Sequence, residues 1–190
     1  MRLPAPPQKP QRRPSVRDSL RPEEAEATVQ TARKAGRHSA RDAAIMLLMV
    51  RHGLRTAELV ALRWHQVDLT AGDLDVHRAE RGHHAIHPLR GPRLRLLRAL
   101  QRTSPRSPDV FVSERQAPLS PRSIRAMVAR TGQVAGLPCV PHPHQPRPAC
   151  GYYPASWGRE TRAMQEYLGH HNIQHTVRAT AMAPHRCERF

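Results

Sequence analysis

Arginine and histidine gather in three short segments: Gly53-Leu54-Arg55-Thr56-Ala57-Glu58-Leu59, His142-Pro143-His144-Gln145-Pro146-Arg147 and Leu168-Gly169-His170. A guanidinium offers a planar fork of donors that matches phosphate oxygens two at a time and keeps its charge. Imidazole accepts or donates a proton near neutral pH. Such groups suit a site that handles a phosphate ester. Blander readings stand beside this one. Arg55 can be a solvated arginine at a helix edge, as most are in a chain with 31 Lys and Arg. His142 and His144, with Cys139 and Cys150, offer zinc-type ligands, but C-x2-H-x-H…C lacks a finger spacing and its prolines stiffen it. His83, His84 and His87 could likewise bind metal, but a hairpin turn rich in His is more often just solvated. No metal and no cofactor is expected.

The formal net charge of +16 points to a polyanionic partner such as nucleic acid. The basic residues are almost all Arg, with Lys only at Lys9 and Lys34, a skew that a GC-rich coding bias would also produce. Where the arginines sit therefore matters more than how many there are. Aromatic residues make up only 4%, so the core must rest on Leu, Val, Ile, Ala and Met. The longest apolar run, Ala43–Val50, is too short to cross a bilayer and reads as a buried helix. Met1-Arg2-Leu3-Pro4-Ala5-Pro6-Pro7 lacks the apolar stretch of a signal peptide. Cys139, Cys150 and Cys187 are odd in number and widely spaced, which fits a reducing cytoplasm better than a disulfide framework.

The elements that must position these groups follow from periodicity. Residues 1–20 are rich in Pro, Arg and Gln and read as a flexible basic tail; residues 21–190 read as one domain. Pro22-Glu23-Glu24 opens a helix with Ala25, Val29 and Ala32 inward and Gly36 as its stop. A second helix starts near Arg41-Asp42 and ends at His52-Gly53. A third, Thr56–Trp64, turns Leu59, Val60 and Leu62 inward and leaves Arg55 at its exposed edge. Leu74, Val76 and Ala85-Ile86 bracket Arg81-Gly82 as a β-hairpin. Leu94, Leu97 and Leu100 give a helix with Arg90, Arg93, Arg95 and Arg98 on its other faces, either solvated or facing phosphate. Val110-Phe111-Val112 is a strand or a loop. Ser120-Pro121 opens a helix striped by Ile124, Met127, Val128, Thr131 and Val134. Beyond the proline-rich stretch 138–148, Ala163, Met164, Tyr167 and Leu168 mark a last helix stopped at Gly169. The fold class is mainly α with a small antiparallel sheet.

The three boxes in this order, with Leu62-Arg63-Trp64 and Val67-Asp68-Leu69 after the first, resemble the tyrosine recombinase (phage integrase) family. Its marks are a GLR-x-x-E-L box, an H-x-x-R box and an L-G-H box. His87-Pro88-Leu89, His142-Pro143-His144, Ala149-Cys150-Gly151-Tyr152 and His171-Asn172-Ile173-Gln174-His175-Thr176-Val177 look closest to its short fimbrial-switch invertases. The resemblance covers residues 20–190 and implies the family's catalytic-domain fold. It implies a reaction in which a tyrosine hydroxyl attacks a DNA phosphodiester to give a 3′-phosphotyrosyl link and a free 5′-hydroxyl. It assigns the guanidinium forks on the reacting phosphate to Arg55 and Arg147, the proton-accepting position to His144 and a phosphate hydrogen bond to His170.

Three departures bear on that chemistry. The segment resembling H-T-V-R-Y-T reads His175-Thr176-Val177-Arg178-Ala179-Thr180, which puts Ala179 in the place of the nucleophile. The hairpin lysine that protonates the leaving 5′-oxygen corresponds to Glu80, in Glu80-Arg81-Gly82. Pro146, Pro148 and Pro154 fall where relatives open a helix after the H-x-x-R box, and an interior proline costs about 3 kcal/mol there. The expectation is a double-stranded-DNA-binding member of the family, impaired in cleavage, in the cytoplasm with the nucleoid, alone or as an oligomer with itself or an active recombinase, and without a membrane. Two alternatives stand beside it: a non-catalytic DNA-binding regulator and an eroded copy without function.

Overall fold

The computed structural model describes residues 20–77 and 84–137. Five helices lie in this part: α1 (Pro22–Lys34), α2 (Ser39–His52), α3 (Thr56–Ala61), α4 (Pro92–Thr103) and α5 (Pro121–Val134). Three short strands, β1 (Val67–Asp68), β2 (Asp73–Val76) and β3 (Ala85–Pro88), form an antiparallel sheet in the order β1-β2-β3. The mainly helical class with one small sheet is thus observed.

Helix α2 is the axis of the packing. Every residue from Asp42 to Val50 is buried, so α2 has no solvent face and must be enclosed by its neighbours. Helix α1 packs along one side through Ala25, Val29 and Ala32, and α4 along another, where Leu97 is buried. Helix α5 contributes Ile124, Met127, Val128 and Thr131 and touches α1 and α3. The buried Asp42 carboxylate in the first turn of α2 needs cations, and it has two. Arg41 donates to it at 2.9 Å and Arg130 of α5 at 3.3 Å.

The segment expected as one helix over Thr56–Trp64 ends at Ala61. Leu62 is extended, its carbonyl accepts from the Val110 N–H at 3.0 Å, and the Trp64 N–H donates to the Pro108 carbonyl at 2.9 Å. Long-range pairing outbids the local helical preference, and a single turn of 3-10 helix, Trp64–Gln66, follows. Val60 is only half-buried, whereas Leu59 and Leu62 are inward. Val110-Phe111-Val112 is a loop anchored by Phe111, which is fully buried.

Strand β1 has no signal of its own beyond Val67. It forms because Asp68 Oδ1 accepts from the N–H groups of Thr70 and Ala71, closing a tight turn into β2. Gly72 completes the turn with φ of 76°, and a Cβ there would lie 2.7 Å from the Arg90 guanidinium and 3.0 Å from the Leu89 carbonyl oxygen. The hairpin register pairs Leu74 with His87 and Asp75 with Ile86. The inward residues of the outer strand are therefore His87 and then Leu89, while Ile86 is 70% exposed. Val134, at the far end of the α5 stripe, is also exposed.

Phe111→Ala should lower unfolding free energy by about 3–5 kcal/mol, the cost of emptying an aromatic site in a packed core. Urea titration of the purified chain checks this; a loss below 1 kcal/mol would mean that the loop is a surface feature.

Candidate functional site

Arg55 is held at the junction of α2 and α3, and the sequence explains why. Helix α2 must stop sharply for the chain to turn, and Gly53 does this with φ of 62°, its N–H donating to the Met49 carbonyl at 3.1 Å. Leu54, which is buried, pins the turn. Arg55 then caps α3 in extended conformation (φ −77°, ψ 159°).

Glu58 fixes the arginine twice. One carboxylate oxygen accepts from the Arg55 backbone N–H at 2.8 Å, and the other faces the guanidinium Nη1 at 3.4 Å. The Glu58 side chain is 2% exposed and that of Arg55 15%. The expectation that Arg55 stands at an exposed edge is corrected: the buried carboxylate draws it inward, because a charge so placed requires a partner. What results is an oriented guanidinium that keeps a solvent-facing part, a form suited to gripping an oxyanion. Glu58 belongs to the GLR-x-x-E-L box, but its positioning task was not read from the sequence. The spacing of three from a helix cap was the available signal.

Beneath this junction lies a buried polar chain that sequence reasoning missed. His52, the last residue of α2, sits 3.3 Å from His87 (Nδ1 to Nδ1), and both are fully buried. The Arg93 guanidinium reaches His52 Nε2 at 3.3 Å. Arginine can only donate, so Nε2 is the acceptor, and the Nδ1–H of His52 is directed at His87 Nδ1. The strand phase that buries His87 is the reason it does not join His84 in a polar turn.

The arginines around α4 divide by task. Arg90 Nη1 donates to the Gly72 carbonyl at 2.9 Å, and Arg98 Nη2 to the Leu69 carbonyl at 2.7 Å, clamping α4 to the turn between β1 and β2. Arg93 Nε donates to the Arg90 carbonyl. Arg95 is exposed. Three of the four are thus engaged within the protein. Glu80, His144, Arg147, His170 and Ala179 lie outside the described residues, as do Cys139, Cys150, Cys187, His83, His142, the prolines 146, 148 and 154, and the expected helix before Gly169.

The model of the phage integrase family matches residues 18–186. The chain belongs to the phage integrase family. The type 1 fimbriae regulatory protein FimE of Escherichia coli (strain K12) is 38% identical over 152 residues, covering 77% of each chain. FimB of the same strain is 35% identical over 170 residues, covering 87% of this chain and 84% of FimB. These relatives agree with the likeness to short fimbrial-switch members. Tyrosine recombinase XerC of Shewanella sp. (strain ANA-3) is 33% identical, and the match spans 75% of this chain but 48% of XerC. Among solved structures, XerA recombinase superposes with a TM-score of 0.74 at 23% identity, over 93% of this chain and 61% of XerA. XerH bound to its difH substrate also gives 0.74, at 19% identity, over 88% of this chain and half of XerH. The fold is that of a tyrosine recombinase catalytic domain, and the chain spans about three-fifths of XerA and half of XerH.

Removing Glu58 takes a carboxylate acceptor away from the largely buried Arg55 guanidinium and from the capping N–H. Glu58→Ala should therefore cost roughly 1–3 kcal/mol of stability. Glu58→Gln, which keeps an acceptor for the cap, should lose less. Urea unfolding measures both, and a loss well below 1 kcal/mol from Glu58→Ala would show that the carboxylate does not hold this junction together.

Proposed function

We propose that this family member binds double-stranded DNA and is impaired in cleaving it. The observation that carries the reading is family membership across residues 18–186 in a chain whose nucleophile position holds Ala179. In this reading Arg55 and Arg147 grip the non-bridging oxygens of one phosphate, and His170 donates to the same group. His144 stands ready for the nucleophile's proton. A methyl group at Ala179 has no lone pair with which to attack phosphorus. Glu80 puts a carboxylate where a proton donor for the 5′-oxygen is needed.

Support for DNA as the partner comes from the net charge of +16 and from neighbours described in complex with DNA, including XerH on its difH substrate and a lambda integrase dimer on a COC′ core site. By the same analogy the chain works on DNA beside a second copy or an active relative, in the cytoplasm where that DNA lies. Among the described residues no helix is long and apolar enough to cross a membrane.

Binding to duplex DNA should weaken steeply with salt, each neutralised phosphate adding about 0.9 to the log–log slope. Sequence preference should be weak, because phosphate contacts position without specifying. Fluorescence anisotropy at several salt concentrations checks both; a flat salt response would count against the reading.

On a nicked suicide substrate the unmodified chain should form no covalent adduct. Ala179→Tyr alone should restore little, and Ala179→Tyr with Glu80→Lys should yield more adduct than the single changes together, since nucleophile and acid serve one displacement. A protease-sensitive, gel-shifted band from the unmodified chain would overturn the assignment of Ala179.

A further inference from the structure

The loop end of the β2–β3 hairpin gathers three metal-ligand side chains that the DNA reading leaves unused. The register runs Leu74 to His87, Asp75 to Ile86 and Val76 to Ala85. One further step along the same ladder sets His77 opposite His84. Residues paired across a ladder share a face, with Cβ atoms about 4.5–5.5 Å apart. Alternation puts Asp75 on that face too, two residues from His77. It is the solvent face, since Leu74 and Val76 point the other way into the core.

The side chains converge as this backbone requires. His77 Nε2 lies 3.0 Å from one Asp75 oxygen and His84 Nδ1 lies 3.6 Å from the other. The imidazole centroids are 4.0 Å apart. One ligand atom from each residue lies within 4.8 Å of the others. A tetrahedral ion with ligand bonds of about 2.0–2.1 Å separates its ligands by about 3.4 Å, the same range as the two nitrogen-to-oxygen separations, which run to different oxygens of the one carboxylate.

We propose that Asp75, His77 and His84 form a binding site for a divalent transition-metal ion, with Zn2+ the ion that two imidazoles and one carboxylate suit. Taken alone, the histidines of this segment read as a solvated turn; the register supplies the missing ligand, Asp75, and removes His87. An ion here joins the end of β2 to the start of β3. The proposal stands independently of DNA binding.

The chain has 13 histidines and three cysteines, so the test must separate this site from others. The full chain is titrated with Co2+, followed by its visible absorption, and then with Zn2+ in competition. Asp75→Asn, His77→Gln and His84→Gln are compared with His38→Gln, which alters another half-exposed histidine. Each of the first three should weaken the tightest site more than about tenfold, as loss of a direct ligand must exceed the 10–100-fold effect of losing its outer support. His38→Gln should match the unmodified chain. A tightest site unchanged in all three ligand variants would overturn the proposal. NMR of the unmodified chain gives a measurement that no variant's folding can confound. One equivalent of Zn2+ should shift the ring resonances of His77 and His84 first, and earlier shifts at other histidines would equally overturn it.

Discussion

The middle of helix α2 is sealed from water, and the arrangement of the domain follows from that restriction. Nine consecutive residues from Asp42 onward are buried, and an α-helix turned apolar on all sides is stable only when enclosed. Helices α1, α4 and α5 with the loop around Phe111 supply the enclosure. The carboxylate that α2 itself buries, Asp42, is matched by arginines from its own helix and from α5. Because both ends of α2 are fixed in this way, the residues that follow its C-terminus inherit a fixed origin. Gly53 turns the chain, and Arg55 emerges at a defined place against Glu58. Such anchoring takes the side-chain entropy of the arginine on folding instead of on a later binding event.

The enclosure also explains which parts of the fold were legible beforehand. The start of α1 at Pro22-Glu23-Glu24, the run Ala43–Val50, the stop at Gly53 and the cap at Ser120 are local signals, and each stands where it was read. Helix α3 was overextended because its end is set by Pro108 and Val110, residues remote in sequence. Strand β1 escaped notice because two residues carry no period. Arg55 was recognisable from its box, but its burial against Glu58 was not, since box membership says nothing of depth. His52 and His87 were invisible as a pair: their meeting depends on the phase of a four-residue strand. The remaining site residues, from Glu80 to Ala179, fall outside the described part of the chain.

Composition is a poor guide to electrostatic purpose in this protein. Arg90, Arg93 and Arg98 spend donors on backbone carbonyls, and Arg41 and Arg130 neutralise a buried acid. A guanidinium is suited to such work because its several donors are fixed in a plane, whereas an ammonium offers a single point charge. The arginine excess therefore includes members with donors committed inside the protein, alongside exposed members such as Arg95, Arg122 and Arg125.

The small sheet has a bearing on how copies of this chain can associate. Its outer strands are β1, with two residues, and β3, with four. Pro88 at the end of β3 has no N–H to offer a neighbouring strand. Short edges of this kind give an incoming strand little to template on, so the described sheet is a poor seed for strand exchange or fibrillar stacking. Self-association through these residues would instead have to use helical or loop surfaces.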